Sequence, residues 1–298
     1  MIQSHIGEFA ALLVAVFWTV SALAFESAGK AIGSLVVNLL RLVFALVFLS
    51  VFTLFYRGLA LPVDASAYQW TWLSLSGLVG FVLGDLFLFK SFTIIGSRLA
   101  MLIMTLAPPI TALTGWLLLD ERLGVFSIFG IILTISGIAL TTFSHNPEHE
   151  RLQLNMPVRG FLFALGGALG QAFGLVLSKK GMAGYDPFAA TQIRIIVGIV
   201  GFSAIVLLMG RVRQVFDGLK NRKGMAGTSI GALFGPFLGV SLSLLSIKYT
   251  STGVSATIMS TTPILIIFPA ILLFKQKVTV KEVIGSIISV IGVAFFFI

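Results

Sequence analysis

The chain has 298 residues, 57% of them hydrophobic and only 10% charged, with a formal net charge of +9 and a mean hydropathy of +1.06. A soluble domain carries roughly 25% charged residues, so this composition excludes a water-soluble globular chain and requires one that lies mostly in hydrocarbon. The positive charge is not a nucleic-acid footprint, because Lys and Arg sit in short connections between apolar runs, as in loops beside anionic lipid. There is no cysteine, hence no disulfide framework and no thiolate metal site.

A helix needs about 20 apolar residues to cross a bilayer. Ten runs meet that need: 6–25, 34–56, 71–95, 98–119 and 124–143, then 158–178, 187–209, 228–248, 252–274 and 281–298. The first reads as a retained span rather than a cleaved signal, since residues 1–8 hold no Lys or Arg.

The last five runs repeat the first five. Gly80 to Phe143 slides without a gap by 155 positions onto Gly235 to Ile298, pairing Gly80 with Gly235, Gly84 with Gly239, Pro108 with Pro263, Gly130 with Gly285 and Gly137 with Gly292. The front part repeats at a shift of 153, pairing Gly7 with Gly160 and Arg41 with Arg194. Matched Gly and Pro carry the argument because they constrain backbone, whereas apolar matches come easily in so apolar a chain. The expected fold is an all-α membrane protein of ten transmembrane helices, with residues 1–143 as one repeat, 144–157 as a linker and 158–298 as the second repeat. An odd number of spans per repeat makes the two copies inverted. Charge agrees: loop 210–227 holds Arg211, Arg213, Lys220, Arg222 and Lys223, while its counterpart 57–70 has only Arg57. The side that collects most Lys and Arg is expected to be cytoplasmic, with both termini outside.

Within the spans, polar residues are few. Trp18 sits mid-span, where its N–H needs a partner, and is matched by Gln171 in the second copy. Arg41 and Arg194 are equivalent, about two turns into their runs, and serve either a structural pairing or an anion-binding cavity. Asp85 and Lys90 break the repeat, being matched by Val240 and Leu245. Asp85 reads as the only acid deep in a span, with Glu26 placed at an end. A carboxylate at that depth must be paired, protonated or wet, which makes Asp85 the candidate for proton coupling. The five-residue gap to Lys90 puts the two on different faces of a straight helix. Pro108 and Pro263 occupy equivalent places and are hinge candidates, since a proline inside a span frees an upstream carbonyl. Gly227, Gly231, Gly235 and Gly239 repeat every four residues, leaving one helix face bare for a close neighbour. His145 and His149 in the linker would need a helix and a third ligand to hold a metal, so the linker reads as solvated and no metal site is expected.

The segment WLLLDERLGVFSIFGIILTISGIAL, with Pro108, Glu121, Leu123, Gly130 and Gly137, resembles the EamA-type transporters of the drug/metabolite transporter superfamily. The second copy follows through Pro263, Thr279, Gly285, Gly292 and Val293, but has Gln276 where the first has an acid. Trp18 and Arg41 also match the first and second helices of that family. The resemblance implies a pore between the halves, lined by helices one to four and six to nine, with the fifth and tenth as outer supports.

The expected function is secondary transport, most simply export of a small metabolite, amino acid or amphipathic compound by alternating access. A lipid or lipid-linked sugar flippase subunit on the same fold is the alternative. No Gly-x-x-x-x-Gly-Lys-Ser/Thr occurs, which argues against direct ATP drive. Histidines outside the spans and scattered acids argue against an enzyme, and no ring of like charges suggests a channel. No cofactor is expected beyond a coupling proton. The expected partners are the lipid bilayer, a small-molecule substrate and, in a homodimer, a second copy, in the cytoplasmic membrane of a bacterium or archaeon.

Overall fold

The computed structural model describes residues 6–119, 124–146, 151–154, 156–249, 258–275 and 278–295. The first half contains α1 (Ile6–Ile32), α2 (Ser34–Arg57), α3 (Ala67–Gly77), a π-helical stretch Leu78–Gly84, α4 (Asp85–Ile103), a 3-10 turn Met104–Leu106, α5 (Ala107–Leu119) and α6 (Val125–Thr142). Two strands follow, β1 (Phe143–Asn146) and β2 (Arg151–Leu154). The second half contains α7 (Val158–Gly181), α8 (Pro187–Leu208), α9 (Val212–Lys220), α10 (Arg222–Ala232), a π-helical stretch Leu233–Gly239, α11 (Val240–Tyr249), α12 (Thr262–Leu265), α13 (Ile267–Phe274) and α14 (Val280–Ala294).

Helix ends follow local chemistry. Ser66 and Gln69 form a reciprocal capping box at the start of α3, and Thr279 and Glu282 do the same for α14, each satisfying amide groups that a helix start leaves orphaned. Asp186 accepts from the Phe188 and Ala189 amides at 3.1 and 3.0 Å, and Pro187 occupies the first turn of α8, where its missing N–H costs nothing. Gly58 ends α2 in the left-handed conformation, with φ of 73°.

Among the described residues six helical segments are long and apolar enough to cross a membrane, one of them the 45-residue segment Ala67–Thr111, and two shorter apolar helices span Ile128–Leu140 and Thr262–Phe274. The long segment is broken at Gly96, with φ 79° and ψ 161°, a conformation that a Cβ would strain. This is where the sequence separates the third run from the fourth. The linker departs from the all-helical expectation: β1 and β2 pair antiparallel, Phe143 opposite Leu154 and Asn146 opposite Arg151. Arg151-Leu152-Gln153-Leu154 alternates polar and apolar residues with the period of a strand. His145 therefore stands in a strand; His149 lies outside the described residues.

The duplication is visible in three dimensions. The two π-helical stretches, Leu78–Gly84 and Leu233–Gly239, fall at the sequence shift of 155. Helices α6 and α14, equivalent by that same shift, pack antiparallel. The Thr134 hydroxyl donates to the Ser289 carbonyl at 3.4 Å and the Ser289 hydroxyl donates to the Thr134 carbonyl at 3.3 Å. Such reciprocal contacts between equivalent residues are what a local two-fold axis produces. The halves also cross. α7 lies along α3 and α4, α1 lies along α10 and α11, and α2 packs on α8. Gly84 meets Gly170 backbone to backbone in the first of these seams, and in the second, equivalent seam Gly239 meets the Trp18 ring.

The α6–α14 seam admits no added side chain: a Cβ at Gly292 would lie 2.5 Å from the Thr134 amide nitrogen. Gly292→Leu should destabilise the protein by about 1–3 kcal/mol through overpacking. Gly124→Ala, where nothing lies within 4 Å, should stay within about 0.5 kcal/mol. Thermal unfolding of the detergent-solubilised protein compares the two, and equal behaviour would contradict this packing.

Candidate functional site

Three charged side chains from both halves meet inside the helical body. Arg41 of α2, Asp85 at the start of α4 and Arg194 of α8 are 3%, 3% and 4% exposed. An Arg41 terminal nitrogen pairs with Asp85 Oδ2, and Arg41 Nε donates to Asn38 Oδ1 at 3.1 Å. Gln171 of α7 donates from Nε2 to Asp85 Oδ1 at 3.0 Å, so both carboxylate oxygens are engaged. Asn38 Nδ2 closes the ring by donating to the Asp85 carbonyl oxygen at 3.2 Å. That carbonyl follows the π-helical stretch, where one extra residue per turn perturbs the regular ladder and re-aims side chains.

The surrounding walls are aromatic. The Arg41 guanidinium lies 4.5 Å from the Phe89 ring centre and 5.6 and 5.7 Å from those of Phe25 and Phe81. Arg194 lies 4.6 Å from Phe81 and interacts electrostatically with Asp85. Its Nε is buried with no hydrogen-bond partner among the described residues. Gly80 makes room for it, since a Cβ there would sit 3.2 Å from an Arg194 terminal nitrogen. Charges at this depth are costly unless paired and hydrogen-bonded. Arg41 and Asp85 meet that condition, and Arg194 meets it only in part.

Four residues singled out from sequence, Arg41, Asp85, Gln171 and Arg194, thus fall in one cluster. Lys90 does not join it: its side chain is exposed on α4, on a different face from Asp85 as the five-residue gap predicts. Trp18 stands in the place equivalent to Gln171, half-buried against Gly239 in the other seam. Pro108 lies in the first turn of α5, directly after the 3-10 turn, and Pro263 lies in the first turn of α12. Pro108 thus follows a 3-10 turn inside the helical segment that runs on from Gly96, and Pro263 follows the turn at Ser260 and Thr261. A groove of about 270 Å³ between α4 and α7 is lined by Phe87, Arg159, Leu162, Phe163 and Gly166, none of which belongs to the cluster.

Ionic latches at both ends of the helical body escaped the sequence reading. Glu26, placed at a span end from sequence, is fully buried. Its Oε2 accepts from the Ser97 amide and hydroxyl, both at 2.6 Å, and its Oε1 accepts from Lys30 at 2.5 Å. The break at Gly96 frees the Ser97 amide that Glu26 receives. Near the same end Arg98 pairs with Glu282 at 2.8 Å. At the opposite end Arg57 pairs with Asp64 at 2.6 Å and approaches Asp186 at 3.7 Å, and the Tyr185 hydroxyl donates to Asp64 at 2.9 Å. The i,i+4 spacing of Glu26 and Lys30 is the one signal that could have drawn attention to the first latch.

The loop latch has a pH signature. Desolvation, and then its bond to Asp64, push the Tyr185 hydroxyl up to about 12. Slight desolvation works against Asp64, but the Tyr185 hydroxyl, a backbone bond and Arg57 hold its carboxyl below the usual carboxylate range. A lowered acid contributes stability above its unfolded pKa and loses it as pH falls through the folded pKa. The stability difference between wild type and Asp64→Asn should therefore hold from about pH 9 to about pH 6 and shrink below about pH 4, as read by thermal unfolding.

At the cluster, Asp85→Leu strands Arg41 and should cost about 3–5 kcal/mol. Adding Arg41→Met should recover much of that loss, because the stranded charge is gone. Equilibrium unfolding in mixed micelles measures both, and an additive double variant would contradict the pairing.

Comparison with known proteins bears on both halves. The model of the EamA-like transporter family matches residues 5–143 and again 158–298, once on each side of the linker hairpin. A crystal structure of a protein is similar to this chain with a TM-score of 0.64 at 17% identity, covering 97% of each chain, a likeness of fold alone. No curated protein sequence matches. With the family pattern present twice and covering nearly the whole length, this chain belongs to the EamA-like transporter family.

Proposed function

We propose that the protein is a secondary transporter working by alternating access, with the Arg41–Asp85–Gln171–Arg194 cluster at its centre. The observation that carries this reading is that one carboxylate from the first half is held by Gln171, feels Arg194 from the second half and is paired with Arg41 from its own. A protein needs no such costly charges in hydrocarbon for stability alone, and intramembrane ionisable groups mark transport pathways.

The spans are read as ten, in two inverted five-helix repeats. The 45-residue segment counts as two on either side of Gly96, and the shorter apolar helices and α14 complete the number. The antiparallel α6–α14 pair and the crossed α7 and α1 seams support inversion. The cationic end, which carries α9 and its flanking Arg211, Arg213, Lys220, Arg222 and Lys223, faces the cytoplasm, with both termini outside. The membrane is the cytoplasmic membrane of a bacterium or archaeon.

Transport proceeds by rocking of one half against the other. The Glu26–Ser97 and Arg98–Glu282 latches close the cytoplasmic end, while Arg57, Asp64 and Asp186 close the other, and each rock releases one set. Asp85 carries the coupling proton. A proton on its carboxylate removes the negative charge that holds Arg41 and Gln171, leaving two guanidiniums beside the Phe81 ring with no carboxylate between them. That repulsion biases the halves toward the alternative packing. The solute is a small metabolite, amino acid or amphipathic compound, and the physiological direction is export.

Proteoliposomes test the coupling. Asp85→Asn should abolish solute accumulation driven by a pH gradient while leaving solute counterflow at a measurable rate. Intact gradient-driven accumulation in Asp85→Asn would remove Asp85 from the coupling step.

A further inference from the structure

The two halves do not treat their buried arginines alike, and the difference has a chemical meaning. Arg41 has two partners within its own half, the Asn38 amide oxygen for its Nε and the Asp85 carboxylate for its terminal nitrogen. Arg194 is the equivalent residue of the second half, and both equivalent partners are missing. Where the first half has Asn38 the second has Thr191, and where the first has Asp85 the second has Val240. The Thr191 hydroxyl donates to the Pro187 carbonyl at 2.8 Å, within its own helix. Val240 is apolar and packs against the buried cluster that contains Phe81, Phe237 and Ile195. The orphaned Nε of Arg194 thus follows from Thr191 standing where Asn38 would serve it, and Val240 removes the carboxylate that a terminal nitrogen would have paired with.

The charge count follows. Two guanidiniums and one carboxylate leave the cluster with one positive charge in excess. Arg41 and Gln171 hold the Asp85 oxygens, and among the described residues no hydrogen bond or ion pair joins Arg194 to Asp85, which acts on it only as a nearby charge. A singly charged anion would bring the cluster to neutrality, whereas a dianion would overshoot by the same amount that its absence leaves unmatched. A planar carboxylate also suits the guanidinium fork, which presents paired donors at matching spacing.

We infer that Arg194 binds the carboxylate of a monoanionic solute, occupying with the ligand the place that Asp85 occupies beside Arg41. The inference deepens the transporter reading and rests on it for the word solute; the anion site itself stands on the charge and hydrogen-bond asymmetry. The guanidinium sits against the Phe81 ring, so the body of the solute next to the carboxylate is apolar or small.

Three ligands of one shape and different charge provide the test: butyrate, butyramide and butylammonium, at matched ionic strength, with acetate and benzoate and their amides as smaller and larger controls. Thermal unfolding of the detergent-solubilised full chain reports binding by mass action. A carboxylate should raise the midpoint saturably, while its amide and the ammonium leave it unchanged. Arg194→Gln should lose that response. Val240→Asp supplies an internal carboxylate to Arg194, and should abolish the response while keeping the midpoint at or above that of wild type. Because it adds a partner instead of removing one, it tests the site even if Arg194→Gln does not fold. No shift with any carboxylate, equal shifts with the amides, or a full shift in Val240→Asp would overturn the anion site. Solute counterflow in proteoliposomes separates this from the transporter reading. Counterflow of a neutral or cationic solute that survives Arg194→Gln sinks the anion site and leaves the carrier. A carboxylate shift that depends on Arg194, with no counterflow of any carboxylate that binds, keeps the site and sinks the carrier.

Discussion

One carboxylate placed near two guanidiniums, in a body otherwise built of apolar helices, is the constraint on which the rest of this structure depends. Each of the three charges would be expelled from hydrocarbon if it stood alone. Together they hold four helices in register: α2 and α4 from the first half, α7 and α8 from the second. The aromatic rings of Phe25, Phe81 and Phe89 line the cluster and add attraction to the cations. The balance of such a cluster shifts when one of its charges is neutralised or another is added.

Arg41 and Arg194 are equivalent residues of a duplicated sequence, one from each half, and both guanidiniums lie against the Phe81 ring. The equivalent helices α6 and α14 run antiparallel, with Thr134 and Ser289 exchanging hydrogen bonds between them. Among the positions where the two copies differ, several meet at the cluster. Asp85 faces Val240, Asn38 faces Thr191 and Gln171 faces Trp18 in the comparison of one copy with the other. Duplication builds the frame, and divergence at a few positions along two seams supplies the chemistry.

Much of this was legible in the residues alone. The ungapped shift of 155 announced the duplication because glycines and prolines matched, and the two π-helical stretches later fell at that same shift. Asp85 stood out because it broke the repeat, and Arg41 and Arg194 because they kept it. The parts that were not legible depend on backbone breaks that no side-chain pattern encodes. Gly96 is one glycine among 31, yet its conformation exposes the Ser97 amide and draws Glu26 fully inside. From sequence Glu26 was an acid at a span end. Asn38 lay in an apolar run and gave no hint that it would bridge Arg41 and the Asp85 carbonyl. Pro108 and Pro263 read as interruptions of long helices, and the structure adds a 3-10 turn before Pro108 and a turn before Pro263 that no residue pattern announces. The linker hairpin was hidden for a similar reason, since four alternating residues are too short a run to outweigh a polar loop.

The inverted relation of the halves is the claim on which the shared cluster, the two latched ends and the alternating mechanism all rest, and side-specific labelling reaches it most directly. Val63 and Phe216 occupy equivalent positions at the shift of 153 and are 75% and 61% exposed. The chain has no cysteine, so Val63→Cys and Phe216→Cys each create a single target for a membrane-impermeant maleimide. In intact cells the account predicts that Val63→Cys is labelled and that Phe216→Cys is labelled only after the membrane is opened. Labelling of both from outside, or of neither until the membrane is opened, would contradict it.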